Sequence, residues 1–123
     1  MAILSGIIMM FVLTLSSSSF HMEKSKLQHI VLIQFKGSIT PEQLAEIEAG
    51  AMTLKQIEGV HHLKMSKNVS SENLSQGYTH SLTMWFENEA DRDKVYLPHP
   101  VHKAFAALFV PQTEKVLVFD YSE

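Results

Sequence analysis

The chain has 123 residues, which is the length of one domain, since single domains peak at roughly 100–150 residues. Hydrophobic residues make up 46% and charged residues 19%, near globular averages, so the composition excludes an intrinsically disordered chain. The net charge of −3 argues against nucleic-acid binding, and the lack of cysteine excludes disulfides and Cys-ligated metal sites.

An apolar stretch opens the chain, at residues 2–15, and four serines follow it, Ser16–Ser19. It is shorter than the ~20 residues that a spanning helix needs, so we expect no stable membrane span. We predict that residues 1–21 are a signal peptide, which implies export to the periplasm or secretion, although no Lys or Arg precedes the apolar run. The alternatives are a retained anchor or an over-extended start, in which case translation begins at Met22 and the protein is cytoplasmic.

The remaining residues, 22–123, are predicted to form one domain that begins with a strand and a helix. Residues 29–36 are rich in β-branched and aromatic side chains, which favours a strand. The run Thr40-Pro41-Glu42-Gln43 then predicts a helix start, with Thr40 as the cap and Gln43 closing a capping box. Apolar residues follow at helical spacing, and Gly59 is the expected stop. Gly50 inside this helix either costs some stability or marks a close approach of another element.

The rest of the chain is predicted to form two further strands, two helical segments and a last strand. Residues 60–67 are predicted as a strand, residues 68–77 as a polar connection, and residues 78–87 as a strand that alternates between two faces. Asn88 is expected to cap a short helix through Tyr96. The prolines around His99 interrupt it, and a second helix covers about residues 101–109. Residues 115–121 form the predicted last strand.

The order β-α-β-β-α-β predicts an α+β fold of the ferredoxin-like type, a four-stranded antiparallel sheet with helices on one face. This topology places the first and third strands side by side, and on that basis we expect His29 and His80 to be neighbours. The face expected to lie under the helices carries His29, Val31, Ile33, Phe35, Leu82, Met84, Val116 and Val118.

The opposite face of the sheet is also largely apolar, and no predicted element remains to cover it. It carries Ile30, Leu32, Gln34, Thr83, Trp85, Leu117, Phe119 and Tyr121. A contiguous apolar patch of this kind rarely stays in water. We therefore predict a homodimer in which two copies bury this open face against each other.

Four segments in chain order carry a family resemblance, over about residues 29–121: His29-Ile30-Val31-Leu32, Gly77-Tyr78-Thr79-His80, Tyr96-Leu97-Pro98-His99-Pro100-Val101-His102 and Lys115-Val116-Leu117-Val118-Phe119-Asp120-Tyr121. The chain resembles the stress-responsive A/B barrel (Dabb) family, whose members are dimeric α/β barrels. Most of them have no assigned reaction. A plant branch cyclises a linear polyketide with a His and Tyr pair, and the matching positions here are His102 and Tyr96. This resemblance implies that His102 is a general base and that Tyr96 stabilises an oxyanion.

The predicted site is a small-molecule pocket between the sheet and the helices, with no cofactor and no metal. His29 and His80 are expected to point into it from the sheet, and Val31, Leu82 and Phe105 to contact the substrate. A structural interpretation stays open, in which His99 and His102 bond backbone groups freed by the prolines. A His-ligated metal, to which Asp120 could contribute, is a competing hypothesis.

Three functions remain open at this point. The first is a stress-associated binding or assembly protein without catalysis. The second is a cofactor-free lyase or cyclase acting on a small carbonyl or polyketide-like compound, with His102 and Tyr96 as the reacting pair. The third is a cofactor-free monooxygenase, which rests on fold analogy alone.

Overall fold

A computed structural model describes residues 25–123. The predicted signal peptide, the alternative start at Met22 and the localisation that follows from them concern residues outside this range. Within residues 25–123, no helix is long and apolar enough to cross a membrane.

The element order confirms the predicted β-α-β-β-α-β pattern. Strand β1 spans Leu27–Phe35, helix α1 Pro41–Thr53, strand β2 His61–Lys67 and strand β3 His80–Phe86. A π-helical segment then covers Asp91–Tyr96, helix α2 covers Pro100–Phe109 and strand β4 covers Thr113–Ser122. Short 3-10 turns follow both α-helices. The strands form one antiparallel sheet in the order β2-β3-β1-β4.

Helix α1 begins where the capping residues predict. Thr40 accepts a hydrogen bond from the Gln43 backbone N–H at 3.1 Å, and the Gln43 side chain accepts one from the Thr40 N–H at 2.9 Å. Gly50 marks the close approach of α2, because a Cβ added there would lie 2.9 Å from the Leu108 Cδ2 atom. The two helices therefore pack tightly enough to form one layer on the sheet.

The core lies between this helix layer and one face of the sheet. Its fully buried members include Ile33, Leu82 and Phe86 from the sheet and Ile47 and Leu54 from α1 and the turn after it. Burial of such side chains is the main favourable term for a domain of this size.

The prediction that Val116 and Val118 lie under the helices is wrong. Val118 pairs with Val31 and shares its face, yet Val31 is 6% exposed whereas Val118 is 58% exposed. The reason is the strand order, which places β4 at the edge of the sheet. Both faces of β4 are thus left open on the single chain.

The open face of the sheet is as apolar as the sequence predicts. Its most exposed members lie on β4, where Leu117 is 39%, Phe119 58% and Tyr121 43% exposed. Trp85 is half-buried, because the His61 ring stacks on it at 4.1 Å and the Lys26 ammonium lies 4.6 Å from its ring centre.

Candidate acid–base site

The bend between the π-helical segment and α2 brings Tyr96 and His102 together. Tyr96 ends the π-helical segment and is 2% exposed, and its ring centre lies 4.4 Å from that of His102 in the first turn of α2. The Phe86 ring lies on the core side at 5.1 Å. The aromatic packing therefore holds the phenol against the imidazole.

Hydrogen bonds at this bend define the orientation of two imidazoles. The His99 Nδ1 atom accepts a bond from the Val101 N–H at 3.1 Å and so caps α2. The His102 Nδ1 atom lies 3.0 Å from the Leu97 carbonyl oxygen. Since a carbonyl only accepts, His102 carries its proton on Nδ1 and its Nε2 has a free lone pair. Both histidines thus bond backbone groups, as the structural interpretation predicts, but His102 also retains a basic atom.

His29 approaches Tyr96 from the sheet. It is 5% exposed on β1, and its ring lies edge-on to the Tyr96 ring with the centres 5.8 Å apart. Its Nδ1 atom lies 2.6 Å from the Asp120 Oδ1 atom on β4. The other carboxylate oxygen, Oδ2, accepts a bond from Arg92 Nη1 at 2.7 Å. Asp120 therefore bridges the sheet to the π-helical segment that carries Tyr96.

The environment keeps Tyr96 and His102 in their neutral forms. Burial raises the pKa of the Tyr96 phenol, and the negative charge of Asp120 acts in the same direction. Burial lowers the pKa of His102, and His29 adds to this effect, which outweighs the opposing bond to the Leu97 carbonyl. At neutral pH the site thus pairs a hydrogen-bond donor with a base, two roles separated by their surroundings.

His80 does not belong to this cluster. In the register of the sheet, His29 pairs with Met84 whereas His80 pairs with Ile33, four residues further along β1. That offset corresponds to about 13 Å along the strand. The prediction that His29 and His80 are neighbours in one pocket is therefore wrong, because adjacent strands do not make their histidines adjacent unless the register also aligns them.

The three apolar residues predicted to contact a substrate are core residues of the same layer. Val31, Leu82 and Phe105 are 6%, 1% and 3% exposed, and they belong to the core cluster that includes Tyr96. Their packing is established by the structure, and a contact with substrate stays a prediction.

The sequence does not single out Arg92, and it marks Asp120 only as a possible metal ligand. Asp120 stands at the end of a strand motif, but nothing in the sequence around Arg92 marks it as a partner. Their contact joins residues 28 apart and depends on how β4 and the π-helical segment meet. Within residues 25–123, no three His, Asp or Glu side chains are grouped so that they could hold a metal ion.

The fold and the cluster define a ferredoxin-like α+β protein with a neutral His and Tyr pair beside the sheet. The chain matches the stress responsive A/B barrel domain (Dabb) over residues 27–123. It belongs to this family.

Two curated relatives share much of the sequence. The stress-response A/B barrel domain-containing protein HS1 of Arabidopsis thaliana is 39% identical over 99 residues, covering 80% of this chain and 90% of the relative. Olivetolic acid cyclase of Cannabis sativa is 32% identical over 97 residues, covering 77% of this chain and 94% of the relative.

Solved structures support the fold. A crystal structure of an Arabidopsis thaliana protein aligns with a TM-score of 0.70 at 38% identity, covering 77% of this chain and 92% of the other. A protein from Thermobifida fusca, described as dimeric and ferredoxin-like, aligns with a TM-score of 0.71 at 16% identity, covering 85% and 96%. The second likeness concerns the fold alone.

Proposed function

We propose that this Dabb protein is a homodimeric, cofactor-free lyase or cyclase that acts on a small carbonyl compound at the Tyr96–His102 pair. The observation that carries the proposal is the bond between the His102 Nδ1–H and the Leu97 carbonyl, which leaves Nε2 as a base beside a protonated phenol. The name of one relative, olivetolic acid cyclase, supports a reaction of this class.

In the proposed mechanism, the His102 Nε2 atom removes a proton from the carbon next to the carbonyl group. The Tyr96 O–H donates a hydrogen bond to the oxyanion that develops on the carbonyl oxygen. The Leu97 carbonyl stabilises the imidazolium that forms, because it accepts a hydrogen bond from the Nδ1–H. The enolate carbon then bonds to a second carbonyl carbon, and the His102 imidazolium returns the proton to the alkoxide oxygen that forms, so the residues end in their starting states. In the absence of a second carbonyl group, the proton returns to the carbon and only exchange with solvent results.

His29 and Asp120 support this site from the sheet. Asp120 accepts a hydrogen bond from the His29 Nδ1–H and another from Arg92, so the His29 ring has a defined orientation against Tyr96. We propose that His29 contacts the polar end of the substrate. Val31, Leu82 and Phe105 are then proposed to contact its apolar part.

Deuterium uptake into butanone from heavy water tests the reaction without knowledge of the natural substrate. We expect the protein to accelerate the exchange. His102→Gln should reduce the rate by a factor of about 10²–10⁴, which is the typical contribution of a general base. Tyr96→Phe should lose it to a similar degree while it keeps the ring. His61→Gln, which changes a histidine on β2 outside the site, is the matched control. No acceleration by the protein, or equal acceleration by His102→Gln, would contradict the proposal.

The homodimer is proposed from the open face of the sheet. Leu117, Phe119 and Tyr121 together present a strip of exposed apolar surface on β4, and such strips mark interaction sites. A two-fold arrangement lets the same face of two copies cover each other. The Thermobifida fusca protein of the same fold is described as dimeric, which supports this assembly.

A further inference from the structure

The end of the sheet opposite the acid–base site contains two clefts that share Lys67 and His80. These residues pair across β2 and β3, where the polar connection between the strands begins and ends. One cleft, of ≈ 570 Å³, lies under the connection and includes Val69, Leu74 and Tyr78 in its wall. The other, of ≈ 320 Å³, lies between α1 and β2 and is lined by Glu48, Met52, Met65, Ser66, Lys67 and His80.

His80, which lines both clefts, has a buried polar atom without a partner. Its Nε2 atom is the one buried side-chain nitrogen or oxygen within residues 25–123 that has no hydrogen-bond partner. An unpaired buried polar atom costs free energy, so its persistence calls for an explanation such as a ligand. The His80 ring itself is packed, because it lies edge-on to the Phe35 ring with the centres 5.1 Å apart.

The neighbouring threonine indicates which nitrogen of His80 carries the proton. The Thr79 Oγ1 atom lies 2.8 Å from His80 Nδ1 but 3.5 Å from the Ile33 carbonyl oxygen, which is the outer limit of a hydrogen bond. We assign the hydroxyl hydrogen to the shorter of these two contacts, and this assignment places the proton of the neutral ring on Nε2. Burial, with the charge of Lys67, lowers the pKa of His80, although Glu48 opposes this in part. The Nε2 atom is thus an N–H donor that requires an acceptor.

Lys67 supplies a second donor beside it. No carboxylate of residues 25–123 lies within 4.0 Å of its ammonium group. Two donors, one of them charged, are suited to the two oxygens of a carboxylate. Met52 and Met65 offer an apolar wall in the same cleft, and Glu48 disfavours a second negative charge on the ligand.

We propose that this cleft is a second ligand site, which binds a small monocarboxylate with a short apolar chain. One carboxylate oxygen accepts the His80 Nε2–H and the other pairs with the Lys67 ammonium group, while the chain lies against Met52 and Met65. The site is about 13 Å along the sheet from His29 and is independent of the proposed reaction. His80, which the sequence assigned to the substrate pocket, thus serves a different ligand.

Hexanoate is the probe that tests this site, with 1-hexanol as the uncharged probe of equal chain length. We expect hexanoate to shift the NMR signal of the His80 Nε2–H saturably and 1-hexanol to bind at least about tenfold more weakly. Lys67→Met should weaken hexanoate binding by about tenfold or more, whereas Lys64→Met, on the same strand but outside both clefts, should not.

His80→Phe separates binding from folding. Phenylalanine keeps the ring contact with Phe35 and removes both ring nitrogens, while the Thr79 hydroxyl can still donate to the Ile33 carbonyl. We therefore expect hexanoate binding to be lost and the melting temperature to be nearly unchanged. Hexanoate binding retained by His80→Phe, equal binding of hexanoate and 1-hexanol, or unchanged hexanoate binding by Lys67→Met would each overturn the proposal.

Discussion

His29 and Asp120 are 91 residues apart in the sequence, yet their Nδ1 and Oδ1 atoms lie 2.6 Å apart across β1 and β4. The contact is largely shielded from water, with the side chains 7% and 19% exposed. Arg92 extends it to the segment that carries Tyr96. These three side chains therefore connect the edge of the sheet to the acid–base site.

Asp120→Ala should lower the free energy of unfolding by about 2–3 kcal/mol, because it leaves the buried His29 N–H and the Arg92 guanidinium without their common acceptor. Urea unfolding at pH 7 measures the change. Asp93→Asn removes the exposed partner of the same guanidinium and should leave stability nearly unchanged. If both variants lose the same free energy of unfolding, the buried contacts of Asp120 contribute no more to stability than the exposed contact of Asp93.

Tyr96 is both a core residue and the proposed hydrogen-bond donor to the oxyanion, and two substitutions separate these roles. Tyr96→Phe keeps the ring packing on Phe86 and His102, so we expect it to cost less than about 1 kcal/mol of stability. Tyr96→Ala empties a buried ring site and should cost about 3–5 kcal/mol. Thermal unfolding of both variants, compared with the butanone exchange assay, provides the measurement. If Tyr96→Phe unfolds as early as Tyr96→Ala, the hydroxyl has a structural role.

The stability of the protein should fall as the pH drops below about 6.5, the ordinary pKa of histidine. The pKa values of His80 and His102 are lowered from 6.5 in the folded state, chiefly by burial. In the window between the folded value and 6.5, the unfolded chain binds protons that the folded chain does not, so unfolding is favoured as the pH decreases.

Urea unfolding at pH 7.5 and at lower pH measures this dependence. His80→Phe and His102→Gln should each reduce it, because each removes one group that takes up a proton on unfolding. His61→Gln, whose histidine is partly exposed, serves as the control. If the pH dependence of stability stays the same in both His80→Phe and His102→Gln, these two histidines are not its source.

Phe119→Asp should convert the proposed dimer into monomers, because it places a charge in the middle of the open face. Phe119 is 58% exposed on the single chain, so the substitution should leave the fold of the protomer intact. Sedimentation velocity at micromolar concentration distinguishes the two species. Val69→Asp makes the same change at a residue 93% exposed in the polar connection, and that variant should remain dimeric. A wild-type protein that sediments as a monomer would disprove the dimer.

The helices and strands could be predicted well because their signals are local. The capping box of Thr40 and Gln43 starts α1 where the sequence places it, and Asn88 accepts a bond from the Asp91 N–H at 2.9 Å at the expected helix start. The prolines on either side of His99 end one helical segment and begin the next. Each of these features depends on a few neighbouring residues, whose conformational preferences are visible in the sequence.

The membership of the site was predicted less completely. The family resemblance implied the pairing of Tyr96 with His102, and the structure brings their rings to 4.4 Å across the proline bend. His29 and His80 were placed together wrongly, because strand order alone does not define which residues of two neighbouring strands lie opposite each other. Arg92 could not be foreseen, since its role follows from the position of Asp120 on a distant strand.

The sequence by itself determined the order of the elements, the two apolar faces of the sheet and the pairing of a histidine with a tyrosine at the start of α2. The first two properties follow from periodicity and from capping, which act over a few residues, and the pairing of His102 with Tyr96 was implied by the family resemblance. Only the tertiary structure decided the strand register, the exposure of both faces of β4 and the bridge from Arg92 through Asp120 to His29. Those depend on distances between segments that are far apart in the chain, and such distances are set by the packing of the whole domain.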